Sequence, residues 1–199
     1  LIMPVTINGN GTITGVSVGG LPDGIVDTDM LATNAVTAAK AAGSAKGITE
    51  ADQWRLSTTL SNNGDNNITA NWERNDTTFE KIGTGLSESS GVYSFPSSGK
   101  YLIMFRGTGT GNDARYIGIH IYVSTDSGSN YTYRGESYGS GYNSGGTSYA
   151  SYSFDIVLDV TNHSTFRFYW KASSWGTCNF LGNSNAQTTG FTCIRLGGT

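Results

Sequence analysis

Two apolar runs set close together, Val92-Tyr93-Ser94-Phe95 and Tyr101-Leu102-Ile103-Met104-Phe105, narrow the folds open to this chain more than any other feature. Pro96-Ser97-Ser98-Gly99 lies between them, with proline to preset φ and glycine to supply a permissive corner. The spacing predicts two strands joined by a tight turn. The second run is apolar at every position, where a strand wetted on one face would alternate. It therefore predicts a strand covered twice, by its own core and by a second subunit. Tyr101, Ile103 and Phe105 are the contact residues expected from this run.

The rest of the composition agrees with an all-β chain. Among 199 residues there are 28 glycines, aromatics reach 12% and charged residues only 14%, a balance that favours a turn-rich, surface-displayed protein over a helical enzyme. A net charge of −3 without any Lys/Arg cluster gives no electrostatic reason to expect nucleic acid. No apolar run approaches the ~20 residues that cross a bilayer, so no membrane insertion is expected. Leu1-Ile2-Met3-Pro4 also lacks the basic start and apolar core of a signal peptide.

Residues 1–26 alternate small apolar and polar residues between glycines and read as an extended anchoring segment that takes its partners from elsewhere, or else as a disordered tail. The alanine-rich stretch 28–42 opens on Asp27, Thr28 and Asp29 and ends at Gly43, as a short helix does. Its apolar stripe is thin. Three copies meeting at Leu31 and Ala35 would bury it, whereas a single copy would be an exposed linker. A second short helix is expected over 47–56, where Thr49 stands three residues before Asp52 in a capping-box arrangement. Asn62-Asn63-Gly64-Asp65-Asn66-Asn67 reads as a turn, which places the end of a helical stalk (27–62) and the start of a head (63–199) there.

Within the head, Ile117, Ile119, Ile121 and Val123 alternate with polar partners. Phe154, Ile156, Leu158 and Val160 repeat the pattern, as do Phe166, Phe168 and Trp170 against Arg167, Tyr169 and Lys171. Asp155 and Asp159 fall on the solvent side of theirs. Folding the chain about Asn183–Gln187 as a hairpin would set Cys178 opposite Cys193 and Phe180 opposite Phe191, which predicts neighbouring, buried and reduced thiols.

Phe79, then Gly91-Val92-Tyr93-Ser94-Phe95-Pro96, Gly99-Lys100-Tyr101 and, near the end, Thr189-Gly190-Phe191 before Leu196, together resemble the globular head of complement component one-q. Covering about residues 67–199, the resemblance implies an antiparallel jelly-roll sandwich, the fold that head shares with tumour necrosis factor. Residues 26–40, from Val26 to Lys40, are similar to the Ala-Val-Thr-x-Ala-Lys repeats of bacteriophage tail fibres. The segments 48–56 and 71–74 are similar to those preceding jelly-roll heads in marine, cyanophage-like virion proteins. These likenesses imply a homotrimeric virion structural protein, assembled in the bacterial cytoplasm, docked on other virion proteins through its N-terminal segment and displayed on the particle exterior. Host attachment through a fibre or tail appendage is one role; capsid or neck decoration is the alternative.

No HExxH, GxSxG, P-loop or cysteine cluster is present, so neither an enzyme nor a cofactor is expected. His120 and His163 read as a strand residue and a turn residue. Asp65, Asp76, Asp113 and Asp126 read as loop acids of the kind that calcium sites use, but their spacing does not demand a metal. The richest binding chemistry is the Tyr/Gly/Ser stretch 131–152. Tyr131, Tyr133, Tyr138 and Tyr142, with Trp175, offer amphipathic contact area for a host glycan, or alternatively line a subunit interface.

Overall fold

The computed structural model describes Thr6–Ile7, Ile13–Thr14 and residues 47–142 and 145–199. The helix expected over 28–42, with Leu31 and Ala35, lies outside the described residues. The chain divides into two compact units, Leu1–Ala45 and Lys46–Thr199. In the first, β1 (Thr6–Ile7) pairs antiparallel with β2 (Ile13–Thr14), Ile7 opposite Ile13.

The second unit is an antiparallel β-sandwich with no helix among its described residues. Its back sheet runs β12 (Thr147–Val160), β9 (Gly99–Asn112), β14 (Gly190–Gly197), β3 (Ala51–Leu56), with β5 (Trp72–Arg74) and β6 (Lys81–Ile82) on the far side of β3. The front sheet runs β11 (Thr132–Gly141), β10 (Ala114–Ser124), β13 (Arg167–Asn183); beyond β13 lie β4 (Thr58–Asn67), β8 (Val92–Ser94) and, paired with β8, β7 (Ser87–Ser89). The long strand β13 ties the sheets together. Residues 167–174 pair with β10, and Cys178–Phe180 pair with Gly109–Gly111 of β9.

Period-two alternation builds the core. Ile117, Ile119 and Ile121 of β10 and Phe168 and Trp170 of β13 are wholly buried, facing Tyr101, Ile103 and Phe105 of β9 and Phe191 of β14. Tyr93, Phe168, Phe191 and Trp72 contact one another edge-on or stacked with centroids 4.9–5.8 Å apart. Such pairs add about 0.5–1.5 kcal/mol each beyond the area they bury.

Several expectations are corrected by the strand pairing. The runs either side of Pro96 are strands, but not a hairpin: β8 pairs with β13 and β7, while β9 pairs with β12, β13 and β14. The Pro96–Gly99 turn carries the chain from one sheet to the other, and Phe95 and Tyr101 meet across the core at 4.7 Å. Tyr101, Ile103 and Phe105 point into this chain's own core and are at most 1% exposed, so they are closed to a neighbour. The half-buried outward residues of this run are Leu102 and Met104.

Residues 51–56 are strand β3, not helix. Asp52 accepts hydrogen bonds from Leu86 N at 2.7 Å, Trp54 Nε1 at 3.0 Å and Arg74 Nε at 3.0 Å, a tertiary knot that outweighs a local cap. The asparagine cluster 62–67 is not a turn but the second half of β4, which faces the bulge of β13 between Ser174 and Thr177, with Gly64 at φ 79°. Asn62 Nδ2 donates to Gly64 O at 2.7 Å and Ser174 Oγ at 3.0 Å, so turn chemistry here serves a bulge. With β3 and β4 inside the sandwich, the head begins near Lys46 rather than at residue 63.

The cysteines are buried and unbonded, yet they are not neighbours. Cys178 pairs with Gly111 and Cys193 with Ile103, eight residues apart on β9. At ~3.3 Å per residue that is roughly 26 Å, far beyond the ~7 Å reach of a disulfide. β13 and β14 are consecutive but do not pair; β9 lies between them, and Phe180 and Phe191 are parted in the same way.

Candidate functional site

The outward positions of β10, those that alternate with the buried isoleucines, are Tyr116, Gly118, His120 and Tyr122. Register brings Tyr138 of β11 beside Gly118, Glu136 beside His120 and Tyr133 beside Tyr122; on the other side, β13 sets Lys171 beside His120 and Tyr169 beside Tyr122. One face of the front sheet thus collects an unbroken series of rings. Tyr131 meets Tyr169 at 4.7 Å, Tyr169 stacks on Tyr122 at 5.2 Å with the planes 4° apart, and Tyr122 meets Tyr133 at 5.8 Å. Tyr133 meets His120 at 5.9 Å, His120 meets Tyr138 at 5.5 Å, Tyr138 meets Tyr116 at 5.2 Å and Tyr116 meets Trp175 at 6.3 Å.

Two irregularities are needed for this ladder. Ala114 and Ile117 are both fully buried across a register shift, so Arg115 and Tyr116 between them are turned outward together. A second shift in β13, between Ser174 and Thr177, lifts Trp175 out beside them. Arg115 then lies over the Trp175 ring at 4.8 Å, and Lys171 over Tyr122 at 4.6 Å. Gly118 provides the floor for Tyr138: a Cβ there would strike the Tyr138 ring and the Ser137 carbonyl.

At the centre His120 is 7% exposed. Its Nε2 lies 2.5 Å from Tyr138 Oη and 3.3 Å from Glu136 Oε2, while Tyr138 O–H donates to Glu136 Oε2 at 3.1 Å. The carboxylate can only accept, so the tyrosine proton goes to Glu136 and the imidazole Nε2–H donates to Tyr138. Desolvation lowers the His120 pKa, with Glu136 and Asp65 acting in the opposite direction. Burial likewise raises Tyr131, Tyr133, Tyr138 and Tyr169, so the phenols remain neutral donors.

Of the five residues singled out from sequence, Tyr131, Tyr133, Tyr138 and Trp175 lie on the ladder, and Tyr142 does not. Tyr142 is 61% exposed and makes no ring contact among the described residues. Sequence reasoning missed Tyr116, His120, Tyr122, Tyr169, Arg115 and Lys171. The signal for most of them was the polar half of alternations already recognised by their apolar half.

The back sheet carries different chemistry. Val157, Leu102 and Ile194 form an apolar row across β12, β9 and β14, with Met104 in the next row between Asp155 and Thr192. Arg106 stands between a polar hollow of about 640 Å³, lined by Thr108, Ser137, Ser151, Ser153 and Thr188 among others, and a second of about 250 Å³ lined by Gln53, Met104 and Thr192. Among the described residues no group of three His, Cys, Asp or Glu side chains gathers. Asp65 accepts from Ser173, Asp76 from Arg55, and Asp126 is held down to about 2 by hydrogen bonds from Ser124 and Asn130.

No protein-family profile matches the sequence, and no curated protein matches it either. Solved structures do match in shape. Eiger TNF from S. frugiperda superposes with a TM-score of 0.56 at 10% identity, over 75% of this chain and 93% of that one. Murine APRIL superposes with a TM-score of 0.53 at 12% identity, over 74% of this chain and 98% of that one. At such identities the likeness establishes architecture alone: the Lys46–Thr199 unit has the tumour-necrosis-factor-like jelly-roll fold.

Proposed function

We propose that this chain is a virion structural protein of a bacteriophage, a homotrimer that presents its jelly-roll head on the particle exterior and attaches to a host-surface glycan. The ladder from Tyr131 to Trp175 carries the reading. Tyr133, Tyr138 and Trp175 are 43–50% exposed although each has ring neighbours that hold it in place, so the face is ordered before any ligand arrives. Preorganised aromatic area loses little entropy on binding, and stacked rings with hydroxyls at their rims suit the apolar faces and edge hydroxyls of sugars.

The phage setting rests on the likeness of residues 26–40 to tail-fibre repeats, and the trimer on the back sheet. The row Val157–Leu102–Ile194 with Met104 is an apolar surface on the sheet opposite the ladder, so subunits that meet there leave every ladder outward. Leu102→Glu puts a charge in that row, and sedimentation of the variant should show monomers where the parent chain is trimeric. A monomeric parent chain at micromolar concentration refutes the assembly.

Adsorption decides the role. Virions carrying Tyr138→Ala or Trp175→Ala should adsorb at least tenfold less, while Tyr142→Ala and Tyr149→Ala, both off the ladder, should leave adsorption intact. Undiminished adsorption by the ladder variants moves the head to particle decoration.

A further inference from the structure

The cations of the ladder face indicate which class of glycan it takes. Arg115 and Lys171 both lie over ladder rings, and no carboxylate among the described residues comes within 4.0 Å of either. The acids on the face are engaged with neutral hydroxyls, Glu136 with Tyr138 and Asp65 with Ser173. Two positive groups held at ring faces with no internal counter-ion are placed to receive carboxylates from outside. Arginine does so with a planar fork and lysine with a point charge.

The dimensions add a second requirement. Tyr116 and Tyr122 are six residues apart on β10, about 20 Å at ~3.3 Å per residue, and Trp175 and Tyr131 extend the ladder at its two ends. Lys171 is level with His120, about four rows along the strand from the bulge that holds Arg115, so the backbones bearing the two cations are spaced by roughly 13 Å. A single terminal sugar covers only a fraction of this track. We infer that the ligand is an extended acidic polysaccharide, laid along β10 with its sugar rings on the ladder and its carboxylates at Arg115 and Lys171. The inference rests on the attachment reading above.

A single-stranded nucleic acid also combines stacking with negative charge, but it carries a phosphate at every nucleotide. This face offers Arg115 and Lys171 over its rings and Arg167 near Tyr131, beside Glu136 and Asp65, in a chain of net charge −3. Widely spaced carboxylates suit it better.

Titration calorimetry on the full chain tests the inference with di-, tetra- and octamers of a panel of uronic acids, their carboxyl-reduced counterparts, and oligo-dT. For at least one uronic acid, affinity should rise tenfold or more from dimer to octamer and fall at least tenfold on carboxyl reduction. Arg115→Gln and Lys171→Gln should each weaken the acidic octamer about fivefold or more and the reduced one by less than about twofold. Equal affinity for acidic and reduced octamers, no gain with length, or tighter binding of oligo-dT overturns the inference. So does a panel without any binder while Trp175→Ala virions still lose adsorption, a result that leaves attachment standing. Undiminished adsorption by Trp175→Ala virions removes the attachment reading itself.

Discussion

Asp52→Asn is nearly isosteric, yet the structure makes it one of the costliest single-atom changes available. The Asp52 side chain is 2% exposed. Its Oδ1 accepts from Gln53 N at 2.9 Å and Arg74 Nε at 3.0 Å; its Oδ2 accepts from Leu86 N at 2.7 Å, Trp54 Nε1 at 3.0 Å and an Arg74 terminal nitrogen at 3.1 Å. An amide has one accepting oxygen. Whichever way it is turned, its NH2 faces at least two donors, and each donor left unpaired in a buried site costs about 1–3 kcal/mol. Breaking a buried ion pair by removing one partner costs about 3–5 kcal/mol. Arg74 is 28% exposed and recovers part of its hydration, so we expect a loss of about 2–4 kcal/mol. For a domain of this size that lowers Tm by about 5–15 °C. If Asp52 instead capped a helix, the loss would be about 0.5–1 kcal/mol, and Thr49→Ala would match it. In the structure Thr49 is exposed, and its substitution should be silent. Thermal unfolding followed by circular dichroism separates the two, and a fall of less than about 2 °C for Asp52→Asn refutes the knot.

Two further outcomes are expected. His120 has its pKa lowered by desolvation, so the unfolded chain takes up the proton first, at about 6.5. Its contribution to stability is then full above that pH and falls as pH drops toward the folded value; Tm measured from pH 7 to 5 should decline more steeply in the parent chain than in His120→Gln, and parallel slopes would refute this. Both cysteine thiols are pushed up by burial, and neither can reach the other. A thiol reagent should label none in the folded head and both after denaturation, with no intrachain disulfide formed by oxidants; rapid labelling of native Cys193 would contradict its buried position.

Face parity was legible in the sequence because it depends on one local rule. Ile117, Ile119 and Ile121 had to share a side, as did Phe168 and Trp170, whatever strands lay beside them. Pairing was not legible, since it depends on which edges meet. The hairpin drawn around Pro96 and the one drawn around Asn183–Gln187 both joined neighbours in sequence. In the structure both connections cross between elements that do not pair, and the chain reaches its partners from far away, Phe105 opposite Phe154 and Phe191 opposite Trp54. The helix expected over 47–56 failed for a related reason. A capping box contributes little beside the tertiary hydrogen bonds of Asp52 and the burial of Trp54 and Leu56.

The candidate site was half legible for the same physical reason. Tyr131, Tyr133, Tyr138 and Trp175 stood out by composition, but composition cannot say that Tyr122, His120 and Tyr116 bridge them, because the bridge is a register between three strands. Nor does a simple alternation reach the end of the ladder: by parity Arg115 should share the buried side with Ile117, and only the register shift after Ala114 turns it out. A bulge lengthens one strand by a residue at a place that its own sequence does not mark. Here two of them, at Arg115–Tyr116 and at Trp175, set a guanidinium over an indole at the rim of the aromatic face. If attachment depends on this rim, deleting Arg115 should restore strict alternation and remove the Arg115–Trp175 pair while the isoleucines of β10 remain buried. That deletion would separate the sandwich, which needs only parity, from the aromatic face, which needs the breaks in it.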